Sequence, residues 1–159
     1  MINIRVESPA DIQQIYDLNE IAFGQPAEAN VVNRLRANCA EHLSLVAEDG
    51  GEIVGHILFT PVVIDEAGDA IQGMGLAPMA VMPDSQKQGI GSSLVKRSLE
   101  ILSERDCPFV IVLGHPEYYP RFGFERASKY HLSSQWEGVP DEVFMVLESP
   151  GKGRIGIVL

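Results

Sequence analysis

Two short stretches carry residues whose types and spacing could do chemistry. The first, DSQKQGIGSS from Asp84 to Ser93, places Gly89 and Gly91 one residue apart between two hydrophobic segments. If a strand ends before it and a helix begins within it, the backbone N–H groups of the first helical turn have no intrahelical acceptor, and the positive end of the helix dipole faces outward. Glycine at 89 and 91 would let an anion such as a phosphate approach those donors. The same glycines could equally serve only a tight strand-to-helix turn. The second stretch, YYPRFGF from Tyr118 to Phe124, offers two phenols. On residue type alone these phenols fit packing beside Phe122 and Phe124.

Two familiar phosphate loops do not fit. A Walker A loop needs a glycine-lysine-serine/threonine sequence, which is missing from the chain. A dinucleotide fingerprint needs a third glycine where Leu94 stands, and it belongs to an opening strand rather than to mid-chain. An oxidoreductase with a degenerate dinucleotide loop is therefore the weakest reading.

The composition narrows the class. A length of 159 residues with 45% hydrophobic content suits one domain over 1–159 with a core that needs neither disulfide nor metal. Cys39 and Cys107 form no CxxC pair and show no metal-ligand spacing, so they are expected to be reduced and structural. The opening MINIRVES has no basic segment followed by an apolar one, and no apolar run approaches the roughly 20 residues needed to span a bilayer. The expected location is cytoplasmic, with no membrane partner. The formal net charge of −10, without a Lys/Arg stripe, argues against nucleic acid as a partner and suits a cationic amine.

The elements that must position the two stretches follow from periodicity and turn chemistry. INIRV (Ile2–Val6) alternates as a strand. Ser8, Pro9 and Asp11 read as a helix start, with Ile12, Ile15, Tyr16, Ile21 and Phe23 as its apolar face. A second helix is expected from about Ala27 to Cys39, with Val31, Val32 and Leu35 inward. Asp49-Gly50-Gly51 reads as a hairpin turn between two β-rich runs. A strand from about Ile71 to Met82 leads to the loop, and a helix from about Gly89 to Arg105 follows, with Ile90, Leu94, Ile101 and Leu102 on one side. PFVIVLG (Pro108–Gly114) reads as a buried strand, Glu142–Ser149 as another strand, and the C-terminal GRIGIVL as an edge strand. Pro78 marks either an edge or bulge, or a strand start.

With the elements in place, the chain resembles the GNAT superfamily of acyl-CoA-dependent N-acyltransferases. Gln86-Lys87-Gln88-Gly89-Ile90-Gly91 matches its Gln/Arg-x-x-Gly-x-Gly/Ala loop at each fixed position, and Tyr119 with Gly123-Phe124 looks like its Tyr-x-x-x-Gly-Phe segment. One helix and one apolar strand separate the motifs, as in the family. The likeness runs from Ile2 to about Leu147, and GHPEYYPRFGF looks like a branch of small bacterial members.

The resemblance implies an α/β (α+β) GNAT fold: a mixed, mostly antiparallel central sheet flanked by helices, with splayed strands forming the acyl-CoA cleft. It implies acetyl-CoA as cosubstrate, no metal, and transfer of an acetyl group to an amine of a small molecule, protein or peptide; a homodimer is left open. The pyrophosphate would sit on the backbone from about Gln88 through Gly89, Ile90 and Gly91 to Ser92, with Lys87 in the same loop and Gln86 bracing it. Val81 and Met82 would bond pantetheine through their backbone. Tyr119 would give the departing thiolate its proton, so activity would fall where a phenol titrates, and Tyr118 would pack. The family often carries a carboxylate on the strand before the loop, and GLAPMAVM has none. A water relay, Glu28 or His115 would take its place as base; His115, like His42, His56 and His131, also fits a loop or packing role. That missing carboxylate keeps open a non-catalytic acyl-CoA sensor or scaffold. In this family acceptor specificity comes from the first helices and the late strands.

Overall fold

The computed structural model describes residues 1–66, 69–134 and 137–148. Strands β1 (Ile2–Val6), β2 (Leu43–Asp49), β3 (Glu52–Glu66), β4 (Asp69–Val81), β5 (Phe109–Leu113), β6 (Glu125–Arg126) and β7 (Phe144–Glu148) hydrogen-bond in the order β1-β2-β3-β4-β5-β7-β6. The helices are α1 (Ile12–Phe23), α2 (Ala27–Asn38) and α3 (Ile90–Glu104). Pairing is antiparallel for β1–β2, β2–β3, β5–β7 and β6–β7. It is parallel where Met74–Leu76 of β4 meet Val110–Val112 of β5. The result is the expected mixed, mostly antiparallel α/β sheet. The expected C-terminal edge strand lies outside the described residues.

The described chain forms two compact units, one from Met1–Thr60 with Ala77–Ser98 and the other from Pro61–Leu76 with the chain from Leu99. In the first unit the hairpin turn comes from Gly50 and Gly51 alone, since Asp49 pairs with Glu52. Both glycines have positive φ, 60° and 88°, the geometry of a two-residue turn whose twist matches its strands. Ser8 begins a short 3₁₀ turn (Pro9–Asp11) that runs into α1, and Asp11 Oδ2 accepts from both Ser8 N (2.7 Å) and Ser8 Oγ (3.1 Å). Arg5 of β1 holds the same carboxylate with two bonds, Nη1 to Oδ2 at 2.6 Å and Nη2 to Oδ1 at 3.0 Å. Those bonds keep the Asp11 carboxyl well below the usual carboxylate range.

The face that α1 buries differs from the one periodicity suggests. Ile15, Leu18 and Asn19 are buried, while Ile21 and Phe23 are 52% and 39% exposed. The reason is polar: Asn19 is taken inward, where its Nδ2 meets His56 of β3 as well as the Ile15 carbonyl of its own helix. On α2 the buried residues are Ala29 and Val32, and Val31 is exposed. The core of this unit joins Ile15, Leu18 and Val32 to Val46, Ile53, Leu58 and Ala80. In the second unit Phe109, Val146, Ile64 and Ala127 form the centre. Pro78 lies inside β4 rather than at its start.

Candidate functional site

Between β4 and α3 the chain turns through a 3₁₀ segment, Pro83–Ser85, followed by an exposed stretch from Gln86 to Gly89. Met82 commits its backbone on both sides. Its N–H donates to the Val54 carbonyl (2.8 Å), and its carbonyl accepts from Ser85 N–H (2.8 Å). Gln86 reaches back to brace the turn, its Nε2 donating to the Val81 carbonyl at 3.1 Å. Gln88 Nε2 donates to the Asp84 carbonyl at 3.4 Å. Lys87 and Gly89 have φ of 64° and 81°. Two left-handed residues within three positions reverse the chain sharply, and at Gly89 the absent Cβ removes the strain.

The first α3 bond closes from Ser93 N–H to the Gly89 carbonyl at 3.0 Å. The amides of Ile90 and Gly91 therefore precede the first intrahelical bond, at the positive end of a fifteen-residue helix. A Cβ placed on Gly89 would have no heavy atom within 4 Å. What lies before that residue is open space. Ile90 is buried, with its side chain turned onto the sheet.

This turn is seated by a residue that the sequence reading did not single out. A Cβ on Gly55 of β3 would lie 2.9 Å from Ile90 Cγ2, 3.0 Å from Leu94 Cδ1 and 3.2 Å from Ala47 Cβ. The bare backbone at Gly55 lets the first turn of α3 rest directly on the sheet. Successive residues of an extended strand direct their amides to opposite edges. With Met82 N–H facing Val54, the amide of Val81 points the other way. Of the two residues expected to offer backbone to pantetheine, Met82 has its N–H on Val54 and its carbonyl on Ser85 N–H.

Tyr119 belongs to the other unit. It opens a 3₁₀ turn, Tyr119–Phe122, after β5 ends, and both its N–H and that of Tyr118 donate to the His115 carbonyl, at 3.4 and 3.1 Å. Its ring meets Tyr118 edge-on, with centroids 5.0 Å apart and planes at 85°, and Phe124 at 5.7 Å and 69°. Tyr118 also packs on Phe122 at 5.3 Å and lies under the Arg121 guanidinium at 5.0 Å, so it is the hub of the aromatic cluster. Tyr119 is 7% exposed. Its hydroxyl has no hydrogen-bond partner among the described residues, and it is not one of the fully enclosed unpartnered atoms, which are Asn19 Oδ1, Ser98 Oγ and Glu148 Oε2. The ring is buried and the hydroxyl reaches the surface. Burial, reinforced by Tyr118, pushes the phenol up to about 12.

Gly114 makes room for that ring. It donates its N–H to the Val143 carbonyl at 3.0 Å, and a Cβ there would overlap Tyr119 Cε2 and sit 2.9 Å from Cδ2. The signal in the sequence was a glycine closing an otherwise apolar strand. Of the residues weighed as bases, His115 is exposed after β5, and Glu28 is half-buried in the first turn of α2, where both its oxygens accept from Gln25 Nε2 at 3.0 and 3.2 Å. Among the described residues no group of three or more His, Cys, Asp or Glu is placed to hold a metal ion. No described helix is long and apolar enough to cross a membrane.

A profile described as "Acetyltransferase (GNAT) domain" matches residues 3–127. The Escherichia coli K12 protein named uncharacterized N-acetyltransferase YhbS is 37% identical over 158 residues, covering 98% of this chain and 93% of that protein. The crystal structure of E. coli YhbS in complex with CoA is similar at a TM-score of 0.85 and 36% identity, over 93% of this chain and 81% of that one. A GNAT family acetyltransferase from Brucella melitensis, in complex with acetyl-CoA, is similar at 0.75 and 32% identity, over 93% and 88%.

The seat under Tyr119 is directly testable. Gly114→Ala forces a buried ring, held by Tyr118 and Phe124, out of its place, and overpacking of this kind costs about 1–3 kcal/mol. Urea denaturation should show that loss; a variant as stable as wild type contradicts the seat.

Proposed function

The chain belongs to the GNAT acetyltransferase family and is an N-acetyltransferase, and on that premise we propose that it moves an acetyl group from acetyl-CoA to a primary amine by direct attack in a ternary complex, with Tyr119 as general acid. The observation that carries this reading is the exposed turn into α3, where the amides of Ile90 and Gly91 precede the first intrahelical bond and the Cβ side of Gly89 is open space. Gln88, Gly89, Ile90, Gly91 and Ser92 would hold the pyrophosphate through backbone, assisted by the helix dipole. Gln86 braces that turn, and Lys87 is its one cationic side chain. Val81, with its amide directed away from β3, would bond the pantetheine arm as an added strand does. The acceptor is assigned to the first helices and late strands, and a chain of net charge −10 favours a cationic amine, whether on a small molecule or a peptide.

In the reaction the neutral amine nitrogen bonds to the thioester carbon, the carbonyl π electrons move to oxygen, and their return expels the sulfur. The Tyr119 proton goes to that sulfur, and the phenol is restored from solvent. The proton lost by the amine goes to water, since the Gly75–Met82 stretch offers no carboxylate. A phenol pushed up to about 12 stays fully protonated at neutral pH. Its weak acidity reduces the driving force for transfer, which places its contribution at the lower end of the general-acid range.

Two outcomes follow. Gly89→Ala puts a Cβ into the space before the helix amides, where nothing in the protein meets it. We expect acetyl-CoA affinity by calorimetry to fall tenfold or more while the melting temperature drops by only a few degrees; unchanged affinity removes the loop from the site. Tyr119→Phe keeps the ring and its contacts, so kcat should fall about 10²-fold with the acetyl-CoA dissociation constant within about threefold. Burial also moves the alkaline limb that an ordinary phenol would give. The wild-type rate should hold to pH 11 and decline only as pH approaches 12, and full activity in Tyr119→Phe on an accepted amine overturns the acid role.

A further inference from the structure

Five polar side chains outside the proposed chemistry meet inside the first unit, each from a different segment: Glu7 after β1, Asn19 of α1, Arg36 of α2, Ser44 of β2 and His56 of β3. His56 is 0% and Ser44 2% exposed. Asn19 Nδ2 lies 2.9 Å from the Ile15 carbonyl and 3.3 Å from His56 Nδ1, and His56 Nε2 lies 2.8 Å from Ser44 Oγ. Ser44 Oγ donates in turn to Glu7 Oε1, and Arg36 grips the same carboxylate through Nε (2.6 Å) and Nη2 (3.0 Å).

The donors and acceptors allow one ordering. The Ile15 carbonyl can only accept, so Asn19 presents its NH₂ there and gives its second hydrogen to Nδ1. Nδ1 then accepts, the ring proton sits on Nε2 and goes to Ser44 Oγ, and the Ser44 proton goes to Glu7. A second proton on the ring would have to sit on Nδ1, facing an N–H donor. Charging His56 therefore breaks the chain at Asn19. Ser44 is no nucleophile, because it is enclosed and its proton is already given to a carboxylate.

We propose that this chain is an acid-sensitive clamp that fixes α1 and α2 on β2 and β3 and closes only while His56 is neutral with its proton on Nε2. In so far as the first helices carry the acceptor, which rests on the function proposed above, the clamp sets the acceptor side of the protein and leaves the turn into α3 alone. The charged groups facing His56 are Glu7, 4.0 Å from Nε2, and Arg36; α1 and β2 present the neutral Asn19 and Ser44. Burial pushes the ring down to about 4, outweighing the upward pull of Glu7, and the smaller effect of the Arg36 charge offsets part of that pull. Above about 6.5 the ring is neutral folded or unfolded, and the clamp contributes in full. As pH falls from there towards about 4 the unfolded chain takes the proton first, so the contribution drains away. Burial raises the Glu7 carboxyl, but the bonds from Arg36 and Ser44 more than reverse it, so Glu7 stays charged through the upper part of that window.

The test uses the full chain labelled with ¹⁵N. Long-range ring correlations at pH 7 should show His56 neutral with its proton on Nε2. Amide exchange corrected for intrinsic rate should speed up at least tenfold in 12–23 and 27–38 between pH 7 and pH 4.5. His56→Gln, which keeps an acceptor and a donor without a titrating group, should flatten that dependence and bind CoA at pH 7 within threefold of wild type. A proton on Nδ1, a charged ring at pH 7, exchange in both helices that ignores pH, or an undiminished dependence in His56→Gln overturns the clamp. The ring and exchange measurements decide even if that variant does not fold. Failure of wild type to bind CoA would strike the proposed function and leave the clamp standing.

Discussion

The hydrogen bond from Met82 N–H to the Val54 carbonyl fixes where β4 stops following its neighbour, and the turn into α3 starts from it. It directs the Val81 amide to the opposite edge and starts the turn that Gln86 braces. It also delivers the chain to a helix whose first turn rests on the bare backbone of Gly55. Backbone donors need no cationic side chain to attract a phosphate. The proposed backbone site would thus let a protein of net charge −10 serve a polyanionic cosubstrate, with Lys87 as the lone cation of the turn.

Glycines do two kinds of work in this protein. Gly89 supplies a left-handed backbone and a clear approach, whereas Gly55 and Gly114 supply absence of volume under a helix and under an aromatic ring. The second kind matters to Tyr119, whose ring is enclosed by Tyr118, Phe124 and Gly114 while its hydroxyl has no hydrogen-bond partner among the described residues. Enclosure holds the phenol ring in place and raises its pKa, so in the proposed role it would act as a donor at some loss of acidity.

Where structure follows from local chemistry, the sequence was legible. Ile2–Val6, the Gly50-Gly51 hairpin and the helix after Gly89 stand as their periodicity and turn residues indicate. The Gln86–Gly91 loop and the segment around Tyr119 likewise stood out as motifs in the sequence. Hidden were the features decided by partners distant in sequence. Asn19 is buried and Ile21 exposed because His56, 37 residues from Asn19, offers a polar partner inside. Ser44 in LSLVA and His56 in GHILF were polar residues within apolar runs, a signal that something must satisfy them, though not what. The consumption of the Met82 amide depended on a carbonyl of another strand and had no local trace.

The central claim is that the backbone at the start of α3 receives the pyrophosphate, and a ¹H–¹⁵N titration of the full chain with CoA tests it most directly. The account predicts that the amides of Gly89, Ile90 and Gly91 shift downfield and most strongly, with Val81 following and Met82 little changed because its N–H stays on Val54. Large shifts elsewhere with those three amides unmoved would contradict it.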